Sequence, residues 1–360
     1  MTTGIAATGY GFTATLIANA ASVRQQLDTL TEQASSGLVA NTFAGLGSAA
    51  SISLDLNPRI SAMQTYNKNI DQASGSMQVT QVAMTQIQQI AATFVAAIPN
   101  LNGLNSSQID SVAANARSAL TQVAGLLDTK NGNVYVFGGQ DTSNPPVPDP
   151  DTILSGGFYT QINAAVSDLS INGSAATTLA TLTVAGSNAS GTSPFSAYLS
   201  QPASGLSAPV VQTGDSSTVQ TGLLASANSV ATSTGTSTTG SYMRDLMRAL
   251  ATLGSMSASQ AGDPDFAALV QDTGSSLNAT VSAMAIDVGV LGTTQSNLVK
   301  TQTQLSATTT ALTSQVASGS EVDLASTLSA LTAMQTQLQA SYRLIASANS
   351  LSLMNFLPAA

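Results

Sequence analysis

The sequence predicts a mainly α protein in which the N- and C-terminal regions supply long antiparallel coiled helices, with a β-rich middle insert. Three observations carry that prediction. Seven large apolar side chains, Val270, Leu277, Met284, Leu291, Leu298, Leu305 and Leu312, recur at intervals of seven. A second column, Leu56, Met63, Ile70, Met77, Met84, Ala91 and Ile98, repeats the interval in the first half of the chain. Between them, from Gln140 to Gly240, the texture changes to Ser, Thr, Gly, Ala and Pro. A strict seven-residue repeat keeps one seam facing the same neighbour over many turns and favours a left-handed supercoil. Leaving such a seam in water forgoes roughly 1.5–3 kcal/mol per side chain, so each column requires a helical partner.

In chain order, Leu16, Ala20, Val23, Leu27, Leu30 and Ala34 alternate spacings of four and three, the narrow seam of a helix that needs partners. Ser35-Ser36-Gly37 ends it, and Val39 to Ser53 has no period and reads as an irregular connector. The long helix is expected to start at Pro58, which a first helical turn tolerates, and Pro99 with Asn100, Asn102 and Gly103 stops it. Tyr66, Ala73, Ile87 and Phe94 widen its stripe, and the segment spans about 60 Å at the usual helical rise. Ile109, Val112, Ala116, Leu120, Val123 and Leu127 mark a third helix. Asn131-Gly132 marks a turn, and Asn133 to Phe137 a short β segment ahead of Gly138-Gly139.

In the insert, Thr178 to Ala185 and Pro209 to Thr213 read as strands, and Ser226 to Gly240 as a flexible low-complexity loop. Lys and Arg are absent between Lys130 and Arg244, so Asp141, Asp149, Asp151, Asp168 and Asp215 give this stretch −5 of the chain's net −9. Helical pattern resumes with Met243, Met247, Leu250 and Leu253. Asp263-Pro264-Asp265 then begins the second long helix ahead of Phe266, with acidic groups at the positive end of the dipole. Gly289 and Gly292 weaken that helix by up to about 1 kcal/mol each, and Ser318-Gly319-Ser320 breaks it. Asp323 caps a last helix carrying Leu324, Leu328, Leu331, Leu338 and Ile345 on one face. This divides the chain into terminal assembly helices with connector (1–55 and 317–360), a coiled core with a short β segment (56–140 and 241–316) and a solvent-exposed β-rich domain (141–240).

Composition narrows the function. The 360 residues include no His, Cys or Trp and only 4% aromatics against 43% hydrophobic, a palette suited to elongated helix-on-helix layers rather than a large globular core. Without His or Cys the usual triads, zinc sites and metalloprotease helices are excluded, and no enzyme activity, cofactor or metal is expected. The carboxylate pairs Asp149 with Asp151, Asp263 with Asp265 and Glu321 with Asp323 read as turns or caps rather than acid–base or calcium sites. Gly235 to Gly240 has phosphate-loop spacing but is followed by Ser241 instead of Lys. Nine scattered basic residues argue against a nucleic-acid partner. With no uninterrupted apolar run of about 18 residues, no membrane span is expected. The first 21 residues, lacking Lys or Arg before Arg24, make a poor secretory signal. Phe158, Tyr159, Phe195 and Tyr198 form either a small aromatic binding patch, as an adhesin or binding module would use, or the insert's own core.

Ala34-Ser35-Ser36-Gly37-Leu38 followed by Asn41 resembles the signature after the first helix of the bacterial flagellins and the related hook-filament junction proteins. Glu321-Val322-Asp323-Leu324-Ala325 resembles a degenerate form of that family's acidic motif, and Leu351 to Leu357 its terminal segment. The resemblance covers both terminal thirds. It implies a subunit exported unfolded through the flagellar type III apparatus, without a cleaved signal peptide, and polymerised outside the cell into a motility filament. The implied partners are copies of itself in a helical polymer, a flagellar export chaperone and hook-associated proteins. In that frame Leu16, Val23, Leu27, Leu30, Leu324, Leu331, Leu338, Ile345, Leu353 and Phe356 form the assembly seam. Gly132 to Gly139, with Thr142 and Pro145-Pro146, looks more like the junction proteins, which remain an alternative. Thr42 to Gly47 departs from the charged residues common at that point in the family.

Overall fold

The computed structural model describes residues 5–101, 106–228 and 237–354. Its elements are α1 (Ile5–Ser36), α2 (Phe43–Leu46), α3 (Ala49–Ala97), α4 (Ser106–Leu127), β1 (Lys130–Asn131), β2 (Val134–Tyr135), α5 (Gly157–Ser167), α6 (Leu169–Gly186), β3 (Val210–Gln212), β4 (Thr218–Gln220), α7 (Tyr242–Ser255), α8 (Phe266–Ser320) and α9 (Leu324–Met354). They divide into two compact units, Met1–Gln64 with Ser306–Ala360, and Thr65–Leu305. Residues 141–240 belong to the second.

In the first unit α1 packs along α9. The link between them is backbone pairing at one end: Leu38 bridges Glu321 in antiparallel sense, so the two helices run antiparallel. Met63 and Leu312, one from each of the seven-residue columns, are half-buried here.

The second unit holds the main core. Met84, Ile87, Ala91 and Phe94 of α3, Leu120, Val123 and Leu127 of α4, and Val270, Leu277 and Met284 of α8 meet in one cluster. Every residue of α7 is buried. A smaller cluster joins Ile70, Ala73 and Met77 to Leu291 and Leu298, with Leu305 half-buried against it. The α3–α8 register is antiparallel: Gln302 Nε2 donates to Asp71 Oδ1 at 2.5 Å, while a Cβ on Gly274 would come within 2.9 Å of Ile98 Cγ2. The two predicted columns are thus core from Ile70 to Ala91 and from Val270 to Leu298.

Several local expectations are corrected. The long helix begins at Ala49 and carries Pro58 inside it. Proline removes the donor for the carbonyl four residues earlier, and Leu54, whose carbonyl loses that partner, is 55% exposed, where water can serve it. The connector after Gly37 is correspondingly short and includes α2, whose N-cap Thr42 accepts from the Gly45 amide. Thr178 to Ala185 is helical, within α6. Its β-branched content suggested a strand, but Thr177, Thr181 and Ala185 face inward at intervals of four, and the Thr181 and Thr183 hydroxyls donate to carbonyls of the helix itself, Thr178 at 2.9 Å and Leu179 at 2.8 Å. The insert therefore combines α5 and α6, the latter kinked at Gly173 where φ is 75°, with the β3–β4 hairpin. α3 with its terminal turn is also long and apolar enough to meet the length and composition of a membrane span; its Ile70, Met77, Met84, Ile87 and Ala91 are buried in protein core.

Candidate assembly site

At the end of α1 the backbone reverses through Gly37, at φ 74°, a left-handed conformation that side chains with a Cβ resist. The Gly37 amide donates to Gln33 O at 2.9 Å, closing the last helical turn. Ser36 Oγ donates to Glu32 O at 2.8 Å and accepts from the Leu38 amide at 3.2 Å. Asn41 Nδ2 donates to Glu32 Oε1 at 2.7 Å, and Ser35 Oγ donates to Glu32 O at 2.9 Å. The reversed chain then pairs with the segment before α9: the Val39 amide donates to Ser320 O at 2.8 Å and the Val322 amide to Gly37 O at 3.0 Å. Two motifs nearly 300 residues apart in sequence thus form one clasp, completed by Asp323, whose Oδ1 accepts from the Ala325 and Ser326 amides at 2.9 and 3.2 Å as the cap of α9.

The seam beyond the clasp is incompletely covered. Val23 is buried; Leu16, Leu27, Leu30, Leu331, Leu338 and Ile345 are half-buried. Leu324 and Leu328 depart from the single-face reading, at 48% and 54% exposed. The inward place in the first turn of α9 belongs to Thr327, followed by Leu331, Met334, Leu338, Ser341 and Ile345 at alternating intervals of four and three. Leu353 lies in α9, and Phe356 lies outside the described residues.

Sequence reasoning missed the polar content of α7. Arg248 is fully buried, 3.6 Å from Asp272 Oδ2. It donates to Ser276 Oγ at 2.9 Å, Ser237 O at 3.3 Å and Thr181 Oγ1 at 3.4 Å. Burial pulls its guanidinium below the ordinary arginine value, opposed by Asp272 and Asp245. One turn earlier, Arg244 donates to the carbonyls of Ala185, Ser187 and Ser226 and to Asn188 Oδ1, and lies over the Phe195 ring at 5.1 Å. Burial lowers this group as well. Buried Asp245 accepts from Thr238 Oγ1 at 2.6 Å and the Thr239 amide at 2.7 Å. The described end of the low-complexity loop is therefore tied down; residues 229–236 lie outside the described set. Two arginines four apart, ending a long stretch without any basic residue, were the available signal.

The remaining polar candidates are structural in their contacts. Asp265 Oδ1 accepts from the Ser174 amide and hydroxyl at 3.0 and 2.9 Å, which holds its carboxyl below the usual range. Asp263 Oδ1 accepts from the Asp265 amide. Asp128 Oδ1 accepts from the Val147 amide at 2.8 Å, yet burial raises its carboxyl to about 6. Phe158, Tyr159 and Phe195 are buried in the main core, with Tyr198 packed against it, and the Tyr159 hydroxyl donates to Gly254 O. That places the aromatic patch inside the protein. Among the described residues no group of three or more carboxylates converges on a point that could hold a metal.

The chain matches the bacterial flagellin N-terminal helical region over residues 10–142 and the bacterial flagellin C-terminal helical region over residues 275–357. No curated protein matches it. The two matched stretches contain the clasp, α1 from Tyr10 onward and α9, and they leave α5, α6, the β3–β4 hairpin and α7 outside.

Proposed function

Because this chain belongs to the bacterial flagellin family, whose members are structural proteins that polymerise into the extracellular flagellar filament, we propose that it is the repeating filament subunit for swimming motility. The supporting observation is the half-covered seam of α1 and α9. Leu16, Leu27, Leu30, Leu331, Leu338 and Ile345 are only partly covered by the pairing of these two helices within one chain, and neighbouring copies would complete the burial. Identical subunits joined by heterologous contacts that do not close produce an open helical polymer. Coupling part of the folding to assembly suits a chain exported unfolded through the flagellar apparatus and handed over by an export chaperone. In this reading 1–55 and 317–360 assemble, 56–140 and 241–316 form the coiled shell, 141–240 faces solvent with its outer side while its inner residues share the main core, and hook-associated proteins are further partners.

A second reading, the hook-filament junction subunit, rests on Gly132 to Gly139. In the structure Gly139, at φ 67°, sits so close to Leu224 Cδ2 that a Cβ there would overlap it, so this segment is under a tight packing constraint of its own. Self-seeding separates the two. A filament subunit regenerates the same exposed seam with every added copy and elongates into long polymers, whereas rings or short caps would transfer the assignment to the junction role. Truncation before Leu351 is expected to stop growth; polymers from the truncated chain would show the terminal segment to be dispensable.

A further inference from the structure

The β3–β4 hairpin is mounted as a third wall on a two-helix stretch of coil. Its base is anchored in the main body of the second unit: the Thr221 amide donates to Pro209 O at 2.9 Å and the Ala225 amide to Phe137 O at 3.0 Å. Leu224, just beyond, fills the niche beside Gly139. From that base two short strands project, in register Val210 with Gln220, Val211 with Val219 and Gln212 with Thr218. The central pair, Val211 and Val219, packs on the small cluster of Ile70, Ala73, Met77, Leu291 and Leu298, while the residues on either side of each valine are exposed. At the tip, the Tyr66 hydroxyl donates to Asp215 Oδ1 at 2.9 Å, and Asn69 Nδ2 donates to Gln212 O at 3.2 Å.

Two facts make this arrangement more than a decoration. The small cluster shares no buried residue with the main core, and Leu223, the partly buried side chain packed against both, lies on the body side of the hairpin's base, so opening at the valine pair does not require the larger cluster to open. Two helices in contact along one seam also leave its flanks wet, and here the valine pair and the tip's polar contacts, with Leu223 beside the hairpin's base, supply the missing cover. Regions with few buried apolar contacts and exposed hydrogen bonds are those that open locally, below the global unfolding free energy. The geometry points to the β3–β4 hairpin being a latch, hinged at 208–209 and 221–222, that closes over the Ile70–Leu298 stretch of the coil and can lift from it while the main core stays folded. Lifting it uncovers Ile70, Met77, Leu291 and Leu298 and lets the two helices re-seat along their seam over this stretch alone.

Amide hydrogen exchange on the full-length chain tests this. Tyr66→Phe removes the tip donor with almost no change of volume, and a hydrogen bond of this kind corresponds to about a fivefold change in an opening equilibrium. Exchange in residues 66–77 and 291–302 is expected to rise about fivefold, with residues 118–127 and 245–253 in the main core unchanged. Val219→Ala, which thins the valine pair, is expected to raise the same two segments further. If both variants left those segments at the parent rate, or if exchange rose equally in the main core, the hairpin would belong to one cooperative unit and the latch would be wrong.

Discussion

Replacing Arg248 with methionine is expected to destabilise the second unit by about 3 kcal/mol. The side chain is fully buried, so the substitution keeps most of the volume and removes the charge with its donors. Asp245, 1% exposed, and Asp272, at 20% side-chain exposure, then lose their shared counter-charge. Removing one partner of a buried pair typically costs 3–5 kcal/mol, chiefly because the other charge remains desolvated. The low end applies here: the Arg248–Asp272 separation is a long 3.6 Å, and Asp272 still accepts from Ser237 Oγ at 2.8 Å. Urea unfolding followed by far-UV circular dichroism reads the loss as a lowered midpoint at unchanged slope. Adding Asp245→Asn and Asp272→Asn to the methionine variant is expected to recover at least half of it, because the stranded charges are gone. A methionine variant within about 0.5 kcal/mol of the parent, or no recovery in the triple variant, would refute the reasoning that this network is held by charge.

Leu298→Asp places an unpaired carboxylate at a position 2% exposed in the small coil cluster and is expected to cost several kcal/mol, read as a lowered urea midpoint and failure of seeded growth; parent-like melting and polymerisation would overturn the seam assignment. Gly37→Ala forces a side chain into the left-handed region in otherwise open space, a strain of about 1–2 kcal/mol, visible as faster exchange at Val39 and Val322. Asp128 has a folded pKa of about 6, above its unfolded value of about 3.9, so its favourable contribution is complete below the unfolded pKa and is lost as pH rises through about 6. Asp128→Asn keeps an acceptor for the Val147 amide, and after discounting for a half-exposed site it is expected to gain about 1 kcal/mol near pH 8; thermal melts across pH should show that gain vanish toward pH 4.

What could be read from the sequence followed wherever one physical signal acted alone. The columns from Ile70 to Ala91 and from Val270 to Leu298 are core because a seven-residue period of apolar side chains lines one face of a helix, and that face must be covered. Gly37 and Asp323 stand where a helix end needs a left-handed residue and an amide acceptor. The turn at Gly132, φ 62°, joins β1 to β2, with Lys130 lying over the Tyr135 ring at 4.4 Å. Misreading came where two signals competed. In α6 the β-branched threonines outweighed a four-residue inward period that is itself made of Thr and Ala. At Pro58 a strong local breaker was overridden by the helix around it. Leu324 kept the seven-residue interval, but the first turn of α9 gives Thr327 the inward place.

The largest omission, α7, follows from the same composition that made the coil legible. A chain with 4% aromatic residues and no Trp has few bulky apolar groups for a junction where α6, α8 and the returning loop meet α7. Arginine supplies both the volume and the donors. Arg244 covers the Phe195 ring while closing the carbonyls of Ala185 and Ser187 at the end of α6, where a helix has unsatisfied acceptors and a negative dipole end. Arg248 reaches Thr181 of α6, Ser237 of the loop and Ser276 of α8 at once. A hydrophobic replacement could fill either space but would leave those acceptors dry and unpaired. The middle segment is therefore not a removable appendage: deleting 141–240 would strip Arg244 of Ala185, Ser187, Asn188 and Ser226, and Asp245 of Thr238 and Thr239, leaving two buried charges in the helix at the centre of the core.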